Sequence, residues 1–219
     1  HARIVLSNVG ARLLRWQLKG YTDARGAMVD LVPSDLPPEQ PRPFSLAVPD
    51  AAMTRRMQSA TYRVSGDTSG HVDAQTQARE VVFEYEDAGG LVVKKTLQFE
   101  PQRHVVRLTA LVQSGQSALN PTVMWGPGLG DIGAVSGGGS FFTGNYVQPP
   151  QAIYQRDGKV ERHAPDALNT QPVYEGNFRF LGIDDHYFIV TAVAAGQARA
   201  EFKPLTLPGP GGTQRVLVS

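Results

Sequence analysis

The chain has 219 residues, no cysteine and a formal net charge of +1. A chain of this length buries roughly 70% of its unfolded surface and needs no disulfide or metal to hold a core, and the lack of cysteine excludes disulfide frameworks, thiolate zinc sites and thiol catalysis. The balanced charge argues against bulk affinity for nucleic acid, and no apolar stretch approaches the roughly 20 residues that span a bilayer.

Short extended segments open the chain. Strands are predicted at residues 3–7 and 11–19, and in the second of these Leu14, Trp16 and Leu18 share one face. A further strand is predicted at residues 44–48. After it, Asp50 is expected to cap a short helix that continues through Met57, because aspartate accepts hydrogen bonds from the free N–H groups of a first helical turn.

Residues 91–112 carry the clearest strand pattern in the sequence, and the other strands are expected to lie against it. In its first half, Val93, Leu97 and Phe99 alternate with polar residues, as in a strand with one face on a core. Residues 100–102 are a turn because Pro101 fixes φ and lacks a donor. With the preceding strand at residues 81–85, this segment predicts a three-stranded antiparallel meander.

The second half of the chain continues with short strands. Asp157-Gly158 supports a type I′ turn, so residues 151–155 and 159–163 are predicted to form a hairpin. Further strands are predicted at residues 122–127, 177–182, 186–194, 198–204 and 214–218. About fourteen short strands with almost no helix predict an all-β fold, a large antiparallel sandwich.

Two segments invite a catalytic or ligand-binding interpretation that their sequence context does not support. The glycine-rich residues 126–139 lack the lysine and the following helix of a phosphate-binding loop, so a surface loop is expected. Asp184-Asp185-His186 could bind a hard metal or form an acid–base pair. Neighbouring residues point in different directions, however, which favours a solvated turn.

The remaining histidines are separated in the sequence, and no Gly-x-Ser-x-Gly nucleophile elbow is present. No catalytic residue, metal site or cofactor site is therefore assigned. Aromatic residues offer one candidate for a ligand-binding cleft or partner surface; its members are Trp125, Tyr146, Tyr154 and Phe178.

Four segments in order resemble the large periplasmic domain of the YidC membrane-protein insertase, of the YidC/Oxa/Alb family. The first is VLSNVGARLLRWQLKGY followed by DLVP, with Ser7, Gly10, Ala11, Leu18 and Tyr21 at the matching positions. The others are FEYEDAGGLVVKKTLQFEP with RHVVRLTALVQ, then WGPGLG, then FRFLGIDDHYFIVTAV. The resemblance covers nearly the whole chain.

The resemblance implies a β-supersandwich similar to galactose mutarotase, with residues 1–219 forming one periplasmic domain of a longer protein. By the same resemblance, that protein is expected to be anchored in the inner membrane by segments outside this chain. It is expected to insert and fold inner-membrane proteins, alone or with the Sec translocon, and to act as a chaperone in protein transport. The expected partners are the translocon, the SecD/SecF accessory proteins and nascent membrane proteins. The family implies no catalytic residues, no metal and no cofactor.

A carbohydrate-binding or aldose-epimerase-like sandwich protein is the alternative. Opening a sugar ring needs a general acid and a general base that face each other across a cleft. The candidates are His104 or His186 with Glu175 or Glu201, and no spacing in the sequence identifies any of these pairs as the acid and the base.

Overall fold

The computed structural model describes the backbone of residues 1–23, 25–34, 36–66, 70–130, 150–193, 197–207 and 213–219. The fold is all-β, with antiparallel sheets in a sandwich-like arrangement and little helix, as the sequence predicts. The described residues contain sixteen strands, one α-helix and one 3₁₀ helix at Pro165–Asn169.

The strands of the amino-terminal half are β1 (Ala2–Ser7), β2 (Arg12–Thr22), β3 (Met28–Asp30), β4 (Leu46–Ala47), β5 (Arg63–Gly66), β6 (Arg79–Glu86), β7 (Leu91–Phe99), β8 (Val106–Ser114), β9 (Ser117–Leu119) and β10 (Thr122–Val123). Helix α1 (Ala51–Ser59) lies between β4 and β5. The later strands are β11 (Gln151–Arg156), β12 (Lys159–His163), β13 (Val173–Asp184), β14 (Ile189–Ala192), β15 (Gln197–Leu207) and β16 (Thr213–Val218).

The chain divides into two compact units. Unit 1 comprises His1–Leu14 and Phe44–Val123, and unit 2 comprises Arg15–Pro43 and Met124–Ser219. Strand β2 carries the chain from the first unit into the second. The assignment of residues 1–219 to one domain stays a prediction.

Unit 1 is built on the predicted meander, which extends to five strands in the order β5-β6-β7-β8-β9. Strand β7 pairs with β8 from Leu91 opposite Ser114 to Phe99 opposite Val106. The period-two prediction is confirmed, since Val93 and Leu97 are buried while Lys94 is exposed. The turn between these strands includes Gln102, whose φ is positive.

The predicted helix is present and begins where the sequence indicates. Asp50 Oδ1 accepts the backbone N–H of Met53 at 2.8 Å, which is the expected N-cap contact. Met57 is the buried residue of this helix, and the Tyr62 hydroxyl donates to its carbonyl at 3.1 Å. The helix therefore packs on unit 1 through its last turn.

A lysine lies inside the core of unit 1. Lys95 has no exposed surface, and its Nζ donates to the carbonyls of Ala11 at 2.6 Å and Phe44 at 2.7 Å. Both acceptors have a left-handed backbone, with φ of 46° and 69°. Residues other than glycine rarely adopt this conformation, so Lys95 joins two strained points of the chain to β7.

Unit 2 contains a sheet in the order β12-β11-β13-β15-β16, with β14 pairing to β13. The predicted hairpin is confirmed: Asp157 and Gly158 both have positive φ, and Arg156 pairs with Lys159. The core of this unit includes aromatic and aliphatic side chains from several strands; they are Trp16, Ile153, Tyr154, Phe178, Phe202 and Val216.

The glycine-rich segment after β10 is not the expected surface loop where it is described, because residues 126–130 are buried. The predicted strand at residues 122–127 ends at Val123, and the chain then runs along β16. Trp125 N–H donates to the Val218 carbonyl and Gly128 N–H to the Val216 carbonyl, each at 2.8 Å. The buried Arg215 donates from Nη1 to the Gly130 carbonyl at 2.8 Å. Residues 131–149 lie outside the described part.

Candidate functional site

Strand β13 changes its neighbour along its length and thereby creates an open sheet edge. Its first part, from Val173 to Asn177, pairs with β15. Its last part, from Leu181 to Asp184, pairs with β14 on one side and with β11 on the other. Within the described residues β14 pairs with β13 alone, so it presents unpaired backbone groups that can accept another extended chain.

Two features of the sequence place β14 on this edge. The strand predicted at residues 186–194 begins only at Ile189, because Asp185 Oδ1 accepts the backbone N–H groups of Tyr187 and Phe188, each at 2.7 Å, and holds a turn. Gly182 then lets β14 approach closely. A Cβ at Gly182 would collide with the carbonyl oxygen of Val190 and lie 2.7 Å from the Thr191 Cα.

The edge carries apolar side chains that face solvent. Ile189 is 52% exposed and Val193 is 81% exposed. Ile189 pairs with Asp184 and Thr191 pairs with Gly182, so their side chains lie on the same face of the sheet. A shallow groove on this edge is lined by Arg179, Phe180, Ile189, Thr191 and Val193. Exposed apolar residues on an edge strand are a typical interaction surface.

An aromatic corner adjoins the start of β14. Tyr21 at the end of β2 contacts Phe188 edge-to-face, with ring centroids 5.5 Å apart. Tyr187 stands edge-on to His186 at 4.7 Å and is exposed. The turn that precedes β14 is therefore held in place by packing against β2 while Tyr187 remains accessible.

The four aromatic residues predicted to form a cleft differ in their burial and in their neighbours. Tyr154 and Phe178 pack edge-to-face with centroids 5.6 Å apart, and each is only 1% exposed. Trp125 is half-buried and contacts Trp16 at 6.3 Å. Tyr146 lies outside the described residues. The role of these four residues as a partner surface stays a prediction. The exposed apolar residues described above, by contrast, lie on β14 and on the turn before it.

The Asp184-Asp185-His186 segment does not form a convergent site. Asp184 is buried and its Oδ2 accepts from Arg162 Nε at 2.6 Å, whereas Asp185 holds the turn and His186 is exposed. For the sugar chemistry considered above, Glu175 lies near the start of β13 and His186 after its end. At about 3.3 Å per residue, the strand carries the chain about 30 Å from Glu175 to Asp184, two residues before His186. That pair cannot act on one sugar ring.

One polar cluster was not predicted. The Tyr154 hydroxyl lies 2.9 Å from Glu161 Oε2 and 3.1 Å from His163 Nε2. Burial is the main cause that raises the pKa of the Tyr154 hydroxyl, and the hydrogen bond to Glu161 adds to it. His163 is one of the histidines that are separated in the sequence, although the register of the Asp157-Gly158 hairpin places these residues together.

Comparison with known families identifies the chain. Residues 1–216 match the family described as the YidC periplasmic domain. The chain belongs to this family. The resemblance drawn from the sequence is confirmed, and the chain is a domain associated with a membrane-protein insertase. A comparison with curated proteins found no match. In the described part of this YidC periplasmic domain, no helix has the length and apolar character needed to cross a bilayer.

The segments that resembled the YidC periplasmic domain have structural roles in this chain. In the DLVP segment, Asp30 Oδ1 accepts the backbone N–H of Trp16 at 2.8 Å and of Val32 at 3.1 Å. Leu31 accepts the N–H of Gly130 from the WGPGLG segment at 3.0 Å. Three of the matching segments thus meet in unit 2, and the last of them, at residues 178–193, builds the β14 edge.

Proposed function

We propose that this chain is the periplasmic interaction domain of a membrane-protein insertase and that it receives an extended apolar segment of a membrane protein along β14. The observation that carries the proposal is an edge strand with exposed Ile189 and Val193 beside a groove. An added strand gains backbone hydrogen bonds from the edge and places alternate side chains in the groove. Family membership supports a membrane protein as the occupant.

The wider role follows the family. The intact protein lies in the inner membrane with this domain on the periplasmic side, and it inserts and folds membrane proteins alone or with the Sec translocon. The SecD/SecF accessory proteins are the proposed additional partners. The domain acts as a chaperone by holding segments and has no catalytic role in insertion. Membership of the YidC periplasmic domain family supports these proposals.

A binding experiment tests the edge. A fluorophore-labelled peptide of about ten residues, in which valine alternates with serine, matches the length of a strand. The peptide should bind the purified chain, and Ile189→Asp should weaken binding about tenfold or more, because it places a charge against the apolar side of the peptide. Fluorescence anisotropy measures the dissociation constant.

Two controls make the result specific to β14. Val160 lies on the edge strand β12, and its exposed fraction of 49% is similar to the 52% of Ile189. Val160→Asp therefore introduces the same charge on another edge, and it should change the affinity for the peptide less than about twofold. A peptide with proline at alternate positions keeps its apolar character but loses the N–H groups needed for pairing, and it should not bind. Equal weakening by both aspartates, or no binding of the alternating peptide, argues against the proposal.

The same positions can be examined during insertion. In the intact insertase, a photocrosslinking residue at position 193 should capture a defined membrane protein that is being inserted, because Val193 is the most exposed apolar residue at the edge. The same probe at position 160 should capture much less. Equal capture at both positions would show that the contact is not specific to β14.

A further inference from the structure

Three potential metal donors meet on one face of the β11–β12 hairpin. Tyr154 pairs directly with Glu161, and His163 follows two residues later on the same face. The Tyr154 Oη, Glu161 Oε2 and His163 Nε2 atoms form a triangle with sides of 2.9, 3.1 and 3.6 Å. From this geometry we propose that Tyr154, Glu161 and His163 bind one divalent transition-metal ion such as Zn²⁺.

The triangle has the dimensions of a tetrahedral site. Zinc binds nitrogen and oxygen ligands at about 2.0–2.1 Å, and tetrahedral angles then place the ligand atoms about 3.3 Å apart. The three separations lie on both sides of this value. An ion about 2.1 Å from all three atoms would lie about 1 Å out of their plane, so the backbone need not move.

The surroundings suit an open site with three protein ligands. Among the described residues no three histidine or acidic side chains come together, and here the third donor is a phenol. The Glu161 and His163 side chains are 38% and 26% exposed, which leaves a side open for entry and for water as a fourth ligand. On the other side the Tyr154 ring packs against Tyr174, Phe178 and Phe202, which fixes its position.

The hydrogen bonds define how protons move on binding. The Tyr154 hydroxyl has one proton, which the Glu161 carboxylate accepts, so His163 Nε2 must carry a proton and donate it to Oη. Metal binding needs a phenolate and a free Nε2 lone pair. The phenol proton therefore leaves to solvent, and His163 takes the Nδ1–H tautomer. Burial and the hydrogen bond to Glu161 raise the pKa of the Tyr154 hydroxyl, so the bound ion must supply the free energy that deprotonates it. The Arg156 charge, 5.6 Å from the centre of the ring, is the smallest of these contributions and favours the phenolate.

Titration of the purified chain with Zn²⁺ and with Co²⁺ tests the site. Calorimetry at pH 8 should show one strong ion per chain with release of a proton. Ultraviolet difference absorbance should show the tyrosinate signal, and Co²⁺ should give the visible spectrum of a tetrahedral ion. Tyr154→Phe removes only the hydroxyl and should abolish the tyrosinate signal.

Substitution of the other two ligands gives the second part of the test. His163→Ala and Glu161→Gln each change a direct ligand, so each should weaken Zn²⁺ binding by about 100-fold or more, at least as much as the loss of a residue that only supports a ligand. Glu161→Gln keeps a hydrogen bond to Tyr154, and circular dichroism checks that each variant folds. His186→Ala, an exposed histidine of the same unit, should have no effect.

A competing location needs its own control. The His1 and His104 rings lie 5.6 Å apart in unit 1 and offer two imidazoles to a metal. His104→Ala should leave the strong site intact. Loss of binding in His104→Ala, unchanged binding in His163→Ala, or the absence of a stoichiometric ion at pH 8 would overturn the proposal.

Discussion

The free energy of unfolding should fall by about 3–5 kcal/mol when Lys95 is replaced by alanine. The substitution opens a cavity in the core of unit 1 and removes the donor that serves the Ala11 and Phe44 carbonyls at 2.6 and 2.7 Å. Both acceptors hold left-handed backbone conformations that cost about 1 kcal/mol or more for residues other than glycine. Urea unfolding followed by far-ultraviolet circular dichroism measures the loss, because both tryptophans lie in unit 2 and do not report on unit 1.

The same residue predicts how stability depends on pH. Burial lowers the pKa of Lys95 from its ordinary value of 10.5 to about 7. Between about pH 7 and 10.5 the unfolded chain therefore binds more protons than the folded chain, and stability rises with pH through this window. One proton that the unfolded chain binds and the folded chain does not gives a slope of at most about 1.4 kcal/mol per pH unit. The two carbonyl bonds favour the ammonium form of Lys95, so they reduce the pKa shift and the observed slope.

Lys95→Met is the reference for this pH measurement. Methionine has a similar volume and no charge, so the contribution of Lys95 disappears while the other titrating groups remain. The stability of the wild type relative to Lys95→Met should increase from pH 7 to pH 9. A difference that does not change with pH would mean that the folded chain keeps the ammonium throughout, and the predicted direction would be wrong.

Part of the Lys95 arrangement could be predicted from the sequence. Lys95 lies between Val93 and Leu97 in a strand of period two, so its parity places it on the core face. Its acceptors could not be predicted, since they lie 84 and 51 residues away in the sequence. Local patterns give the face of a strand, whereas contacts at such separations depend on how the strands pack.

The hairpin of unit 2 shows the same division. The Asp157-Gly158 turn is a local signal, and a two-residue turn fixes the register of both strands. The contact of Tyr154 with Glu161 could therefore be derived from the sequence, together with His163 on the same face. The open edge at β14 could not, because it arises where β13 exchanges β15 for β14, which are partners that no local pattern identifies.

Replacing Gly182 with alanine should separate β14 from β13. The new methyl group would collide with the Val190 carbonyl oxygen and lie 2.7 Å from the Thr191 Cα. Both of these atoms belong to the backbone of β14, so a change of side-chain rotamer cannot relieve the collision. We expect the free energy of unfolding to fall by about 1–3 kcal/mol and the amide protons of residues 189–192 to exchange faster. Hydrogen exchange with mass spectrometry measures the second effect.

Gly20→Ala is the matched control because Gly20 lies in strand β2 of the same unit and a Cβ there would meet no atom within 4 Å. This variant should keep wild-type stability or gain slightly, since alanine restricts the unfolded chain. If β14 forms the binding edge, Gly182→Ala should also lose the alternating peptide while Gly20→Ala retains it. Unchanged protection of residues 189–192 in Gly182→Ala would show that β14 tolerates the added methyl group and that its close approach to β13 does not hold the edge in place.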